Sequence, residues 1–266
     1  MFLFIESIRT TCYVTGKNDK KQLNTASPAT ITTFQSVQCF DQVVFAASSD
    51  LYTLAIQSGQ QFQTISYISN VGSCSPVTSI LQPITFLQPY QIQQLTSSQE
   101  SFASLTTDFQ VLTFGIALNQ ILGTSDDFQC NHVNNISFFM DKSIRRIGMP
   151  FANVILYVSS TQIYFTGQCS GLCGQLSDQE PVSDPTFKIS RIKHNFQGIV
   201  DAKFFRQNYL IQDDQLVWHS TGANVQQQRC GAFATTEFSP YPTHQIAQFS
   251  LITSGYYLNQ QLYLCG

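Results

Sequence analysis

Apolar and polar positions along the chain change over in blocks rather than residue by residue. Asn153-Val154-Ile155-Leu156-Tyr157-Val158 is a nearly unbroken apolar run, Ser159-Ser160-Thr161-Gln162 is polar, and Ile163-Tyr164-Phe165-Thr166 is apolar again. The layout recurs as Gln207 to Ile211, the turn Gln212-Asp213-Asp214-Gln215, then Leu216-Val217-Trp218. It recurs again as Tyr256-Tyr257-Leu258, the turn Asn259-Gln260-Gln261, then Leu262-Tyr263-Leu264. Two β-branched or aromatic runs separated by a few turn formers predict a hairpin. Leu51 to Ile65, turning at Ser58-Gly59, and Phe102 to Phe114, turning at Thr107-Asp108, predict two more.

The second strand of each hairpin ends on a marker. Clear copies are Tyr13-Val14-Thr15-Gly16, Tyr164-Phe165-Thr166-Gly167 and Tyr263-Leu264-Cys265-Gly266, with Phe114-Gly115 as a fourth. Degenerate copies are read at Ile65-Ser66 and Trp218-His219-Ser220. The markers fall at 16, 66, 115, 167, 220 and 266, in steps of 46 to 53 residues. Glycine suits a turn that needs positive φ or a close backbone approach, so Ser66 and Ser220 predict differently wound turns. After each marker comes a polar loop, often with a proline (Pro28, Pro76, Pro181, Pro240). A third apolar strand then leads back: Val43 to Ala47, Ile92 to Leu95, Ile144 to Ile147, Ile199 to Ala202 and Ile246 to Phe249.

Three or four short strands per period predict an all-β fold, a β-propeller of about five repeats of roughly 50 residues in a single domain over residues 1–266. One small sheet cannot bury both its faces, but stacked sheets can, which accounts for runs such as 154–158 that are apolar throughout. An irregular β-sandwich would not explain why the order of parts recurs along with the period.

Charge narrows the function. Only 11% of residues are charged and the formal net charge is −3, so the chain lacks the basic surface that phosphate neutralisation requires and is not expected to bind nucleic acid. No apolar stretch reaches the ~18 residues of a membrane span. Met1 to Ile5 is apolar but short, without the basic flank of a signal peptide. No membrane association is expected, and the expected location is cytoplasmic or nuclear. The eight cysteines (12, 39, 74, 130, 169, 173, 230, 265) are then expected to be reduced.

At the markers the register resembles the repeat of the regulator of chromosome condensation family, in which an aromatic strand is followed by Gly, one residue, Asn, two residues, and then Gly-Gln-Leu-Gly. After Gly16 come Asn18, Gln22 and Leu23; after Gly115 come Leu122 and Gly123; after Gly167 comes Gly174-Gln175-Leu176. Leu51 to Phe62 is similar to the family's His-Thr-Leu-Ala-Leu segment, although the His is absent and Ala47-Ser48 stands where the family has Ala-Gly. The chain holds only 14 glycines, few for that family. The resemblance implies a propeller that normally closes with seven blades. Five periods here imply a smaller or incomplete ring, and whether the Phe2-to-Gly16 hairpin pairs with the strand ending at Gly266 becomes the structural question.

Two stretches differ in charge. From Gln22 to Asp141 there is no Lys or Arg, while Asp41, Asp50, Glu100, Asp108, Asp126, Asp127 and Asp141 are acidic. From 142 to 206 there are eight basic residues, Lys142, Arg145, Arg146, Lys188, Arg191, Lys193, Lys203 and Arg206, against four acids. Such polarity steers a charged protein partner, and these eight are the candidate partner-binding residues. Cys169-x3-Cys173 and Cys130-x-His132 have marginal zinc spacing, so no metal or other cofactor is expected. His132, His194, His219 and His244 are dispersed, Asp213-Asp214 and Asp126-Asp127 sit in turns, and no catalytic residue is expected. The expected function is a non-catalytic protein-protein interaction scaffold. The resemblance supplies an alternative, guanine-nucleotide exchange on a small Ran-like GTPase, though no residue here matches an exchange wedge. An enzyme inhibitor of the β-lactamase-inhibitor propeller kind is a third class without a motif.

Overall fold

The computed structural model describes residues 2–5, 11–16, 30–38, 43–48, 53–58, 64–69, 82–97, 101–115, 120–124, 129–151, 154–168, 179–181, 187–205, 208–222, 235–241, 245–247, 254–258 and 261–265. Strands dominate them, in six small antiparallel sheets among the described residues. The chain divides into two compact units: Met1–Ala117 with Asp126–Asn135, and Leu118–Ser125 with Ile136–Gly266.

The first unit holds three sheets. One is β1 (Phe2–Ile5), β2 (Thr11–Gly16) and β3 (Ile31–Gln38); the next is β4 (Val43–Ser48), β5 (Thr53–Ser58), β6 (Thr64–Ser69) and β7 (Gln82–Ile84). The third is β8 (Ile92–Ser97), β9 (Ser101–Thr106), β10 (Val111–Gly115) and β11 (Gln129–Asn135). Each is a meander, with consecutive strands paired. The strands of the β9–β10 hairpin are buried at every residue, so side chains on both faces are covered. Phe102 stacks on Phe114 at 5.3 Å, above a core that includes Leu87, Ile92 and Leu112.

The second unit repeats the plan. One sheet runs β12 (Arg146–Phe151), β13 (Val154–Val158), β14 (Ile163–Gly167), β16 (Ile189–Ile192) and, outermost, β15 (Gln179–Pro181). The next runs β17 (Ile199–Phe205), β18 (Asn208–Asp213), β19 (Trp218–Gly222) and β20 (Thr235–Tyr241); the last is β21 (Gln245–Ala247), β22 (Ser254–Leu258) and β23 (Gln261–Cys265). Val154, Leu156, Val158, Ile163 and Phe165 of one sheet share a core with Ile199, Ala202, Tyr209 and Ile211 of its neighbour. The first strands of the two sheets adjoin, β12 beside β17. Gly148 allows this approach: a Cβ there would lie 2.0 Å from the Phe204 ring. The opposite face is covered too. Tyr157 Oη donates to Thr166 Oγ1 at 3.0 Å, and Thr166 Oγ1 donates to the Ile121 carbonyl.

All five predicted hairpins are present, as are the five predicted return strands, although Ile144 and Arg145 precede β12 rather than belonging to it. Three features differ from the sequence reading. The stretch after a marker carries a further strand (β3, β7, β11, β15 with β16, β20), and Pro181 and Pro240 lie within strands rather than loops. These outer strands are rich in Thr, Ser and Gln, so the apolar signal of the inner strands is missing from them. The two degenerate markers also move. Gly115 and Gly167 pair with the first residues of β9 and β13, and the residues so placed on β6 and β19 are Ser69 and Gly222 rather than Ser66 and Ser220. At Gly16, Gly115 and Gly222 the ladder to the outer strand is interrupted, the outer strand taking four or five residues where the marker strand takes two. Gly115 and Gly167 have φ of 105° and 93°, which β-carbon sterics disfavour. Finally, six sheets carry the six markers, one each, and β2 and β23 belong to different sheets.

Candidate partner-binding site

Strand register in the second unit gathers much of the basic set at one end of its sheets. Arg146 opens β12 opposite Val158, the last residue of β13. Ile163 opens β14 opposite Ile192, the last residue of β16, so Arg191 and Lys193 fall at this end. Ile199 pairs with Asp213, which brings the 193–198 connection and the β18–β19 turn to the same end. The segment leading into β12 is fixed by hydrogen bonds from the Lys142 N–H to the Phe139 carbonyl (3.1 Å) and from the Arg145 N–H to the Val158 carbonyl (2.8 Å).

Five of the eight basic candidates therefore share one end: Lys142, Arg145, Arg146, Arg191 and Lys193. Lys188 precedes β16 at the other end, its N–H bonded to the Gly123 carbonyl at 3.0 Å. Lys203 lies within β17, and Arg206 is outside the described residues. Arg146 and Lys203 converge on one acid. Arg146 Nε donates to Asp201 Oδ1 at 2.6 Å and Lys203 Nζ lies 3.4 Å from Oδ2. Burial raises the Asp201 carboxyl's pKa, but the Arg146 hydrogen bond, the Ala202 N–H and the two cations outweigh it and hold the group below its ordinary range. That pair is structural, tying β12 to β17.

Lys142 has a different setting. Its ammonium bonds Asp141 Oδ2 at 2.8 Å and lies 5.3 Å from the centre of the Phe138 ring, a cation–π arrangement. Phe138 meets Tyr164 edge-on at 5.7 Å. Tyr164 is only 7% exposed. Burial pushes its hydroxyl pKa up, while the charges of Lys142 and Arg191 pull the other way, so it stays a neutral phenol at physiological pH.

Next to these cations lies a cluster that sequence reasoning did not assemble. His194 stacks on Phe196 at 4.9 Å, Phe196 leans on His219 at 4.8 Å, and His219 Nε2 meets Asp213 Oδ2 at 2.7 Å. Burial foremost, then the charge of Arg191, push the His194 pKa down to about 4, against a weaker opposite pull from the Thr161 backbone. Asp213 Oδ1 accepts the N–H groups of Gln215 and Val217 at 3.0 and 2.8 Å, the turn chemistry its position suggested. The signal for the His–Asp contact was present: in a hairpin paired Ile211 to His219, residues 213 and 219 lie near one another at the turn. No nucleophile among the described residues is hydrogen-bonded to His219. Among the described residues no group of His, Cys, Asp and Glu could hold a metal ion, and no helix is long and apolar enough to cross a membrane. The side chains of Cys130, His132, Cys169 and Cys173, with Asp126 and Asp127, lie outside the described residues. The arrangement offers charge, aromatic surface and hydrogen-bond donors.

No family model matches the chain, and no curated protein sequence matches it. Solved structures do. Human WBSCR16 aligns with a TM-score of 0.66 at 12% identity, over 88% of this chain and 65% of that one. Prp20p from Saccharomyces cerevisiae aligns with a TM-score of 0.58 at 13% identity, over 88% and 59%. The yeast RCC1 protein (Prp20) solved bound to Kap60 aligns with a TM-score of 0.61 at 11% identity, over 96% and 62%. The chain thus spans about three fifths of the length of these proteins. In its fold, the chain is a β-propeller similar to those of the regulator of chromosome condensation type.

Proposed function

We propose that the chain is a non-catalytic protein-interaction scaffold, acting in the cytoplasm or nucleus, that docks a protein partner at the basic end of its second unit. The observation that carries this reading is the gathering of Lys142, Arg145, Arg191 and Lys193 at one strand end by register. Clustered like charge at one end raises the encounter rate with an oppositely charged partner. Affinity capture with the purified chain, followed by measurement of partner affinity, tests it. Charge reversal at Arg145, Arg191 and Lys193 is expected to weaken the interaction at least tenfold and to reduce its salt dependence. Arg146 is left out because its bond to Asp201 ties β12 to β17, so its reversal would test the fold as well as binding.

A second reading is nucleotide exchange on a small Ran-like GTPase. It is favoured by the shared fold with Prp20p, which is described by its binding to Gsp1p and histones. Acceleration of nucleotide release from such a GTPase would support it, and an unchanged release rate at high chain concentration would remove it.

A further inference from the structure

The strand β3 leaves an open edge on the first unit. It pairs with β2 on one side, and among the described residues no strand pairs with it on the other. Thr32, Thr33, Gln35 and Ser36 are all exposed. Successive strand residues point to opposite faces, so both faces are open here, in contrast to β9 and β10. At eight residues, Ile31–Gln38 is the longest strand described, and it holds no charged residue and no proline. An uncharged edge rich in Thr and other strand formers is a template for another strand. The other outermost strands that follow a marker are guarded. β7 and β15 have three residues each and contain Pro83 and Pro181, β15 also has Glu180, and β20 has Glu237 and Pro240. Proline removes a ladder donor, and an edge charge repels a second strand. β11 has neither guard, but its Val133 packs on the core and its Asn134 is buried.

We propose that the open edge of β3 pairs antiparallel with the same edge of a second copy of the chain. This concerns the first unit and is independent of docking at the basic end of the second. Charge selects both the occupant and its direction. Gly16 pairs with Ile31, so the connection from β2 to β3 leaves at the Ile31 end, and it carries Lys17, Lys20 and Lys21 against Asp19. Thr11 pairs with Gln38 and Ile5 with Cys12, so the connections 6–10 and 39–42 leave at the Gln38 end, with Glu6 and Asp41 against Arg9. The first end thus has a surplus of positive charge and the second a surplus of negative charge. A two-fold axis between two edge strands runs them antiparallel and sets the positive end of each copy beside the negative end of the other. Parallel pairing would set like beside like. The contact centres on Gln35 to Gln38, where β3 keeps unbroken register with β2 from Val14 to Thr11.

Sedimentation velocity on the purified chain across a concentration series tests this. A monomer–dimer equilibrium with a Kd on the order of 10 to 100 µM is expected, weak because one strand edge buries less than the ~1,200 Å² of a stable interface. Gln35→Lys with Ser36→Lys should weaken the dimer at least tenfold. Both positions are exposed, so the unfolding midpoint of this variant, measured at a dilution where the chain is monomeric, should match wild type. Asp41→Lys should weaken the dimer about threefold, as should Lys20→Glu with Lys21→Glu, and the three changes together should restore it. Reversal of Arg145, Arg191 and Lys193 should leave the dimer intact, which separates this contact from the basic end. A monomer at every concentration up to roughly 500 µM overturns the pairing, as does a dimer indifferent to Gln35→Lys with Ser36→Lys. Assemblies that grow past the dimer overturn the two-fold arrangement in favour of open-ended strand addition. Failure of the combined charge variant to regain affinity overturns the antiparallel direction. A monomeric chain whose capture of a protein partner is abolished by the two lysines would give the edge to that partner's strand and overturn the second copy as its occupant.

Discussion

The chain builds the same hairpin turn twice and gives the two copies different chemistry. Between β9 and β10, the Thr106 N–H bonds the Gln110 carbonyl and the Phe109 N–H bonds the Thr106 carbonyl, each at 3.0 Å. Between β18 and β19, the Asp213 N–H bonds the Val217 carbonyl and the Leu216 N–H bonds the Asp213 carbonyl, again at 3.0 Å. The fourth residue of each turn has φ of 63°, and in each it is a large apolar residue, Phe109 at 46% and Leu216 at 60% exposure. Glycine or asparagine is the usual choice there. The backbone of the repeat dictates this conformation, and the side chains adapt to it. They differ at the first position. Thr106 Oγ1 accepts the Gln110 N–H at 2.8 Å, whereas the Asp213 carboxylate accepts two N–H groups and also holds His219. The first turn is closed by its threonine and bonded to its own sheet's neighbours, from the Thr107 N–H to the Gln91 carbonyl at 2.8 Å and from Asn135 Nδ2 to Gln110 Oε1 at 2.7 Å. The other is wired into the aromatic and charged end of the second unit.

The largest expected separation of the two comes from the packing between β12 and β17 in the second unit, whose sheet carries the second turn. Gly148→Ala forces a methyl into the Phe204 ring and should cost about 3 kcal/mol. Hydrogen exchange should then show lost protection at the Leu216 amide and unchanged protection at the Phe109 amide. Equal loss at both would mean that the two turns are not independently supported.

Removing the side-chain acceptor at the matched position comes next. Asp213→Ala should destabilise by about 2 kcal/mol and Thr106→Ala by about 1 kcal/mol, since a carboxylate bonded to several donors contributes more than a hydroxyl. Denaturant midpoints measure both, and equal costs would remove the distinction drawn here. Relieving the left-handed residue should do the opposite. Leu216→Gly and Phe109→Gly should each stabilise by about 0.5 to 1 kcal/mol, the strain removed being partly offset by glycine's greater freedom when unfolded. A loss of stability would show that the apolar side chains hold the turns.

The smallest effect expected is on pH. The unfolded chain protonates His194 near its ordinary 6.5, while the folded chain resists until about 4. Stability should therefore fall as pH drops through that window and level off below it. His194→Gln should flatten this slope. Below the window, Asp213, held under its ordinary pKa despite partial burial by its bonds to His219 and the turn, adds a further loss of stability as it protonates. In the Thr106 turn Asp108 is likewise held below its ordinary pKa, by hydrogen bonds from Thr106 and Gln110 that outweigh desolvation, so that turn shares the loss below the window and lacks the His194 contribution.

The sequence carries the inner hairpins plainly because their strands are covered on both faces and so are apolar throughout, as in 154–158. It hides the outer strands, which are polar enough to read as loops. It also misplaces two markers, since the register that makes Gly222 the counterpart of Gly167 is set by pairing with β18 rather than by the residues before it. Of the candidate site, charge asymmetry points to the stretch that carries the eight basic residues. It does not reveal that Arg146 and Lys203 neutralise Asp201, nor that Tyr164 joins Lys142 and Arg191, because those contacts depend on which strand ends meet.

The account's central claim is that this end docks a charged partner. The most direct measurement is the salt dependence of partner affinity for the wild-type chain and for the chain with Arg145, Arg191 and Lys193 reversed. Affinity should fall steeply with salt for the first, and be at least tenfold weaker and nearly flat with salt for the second. Matching affinities and matching slopes for the two proteins would contradict it.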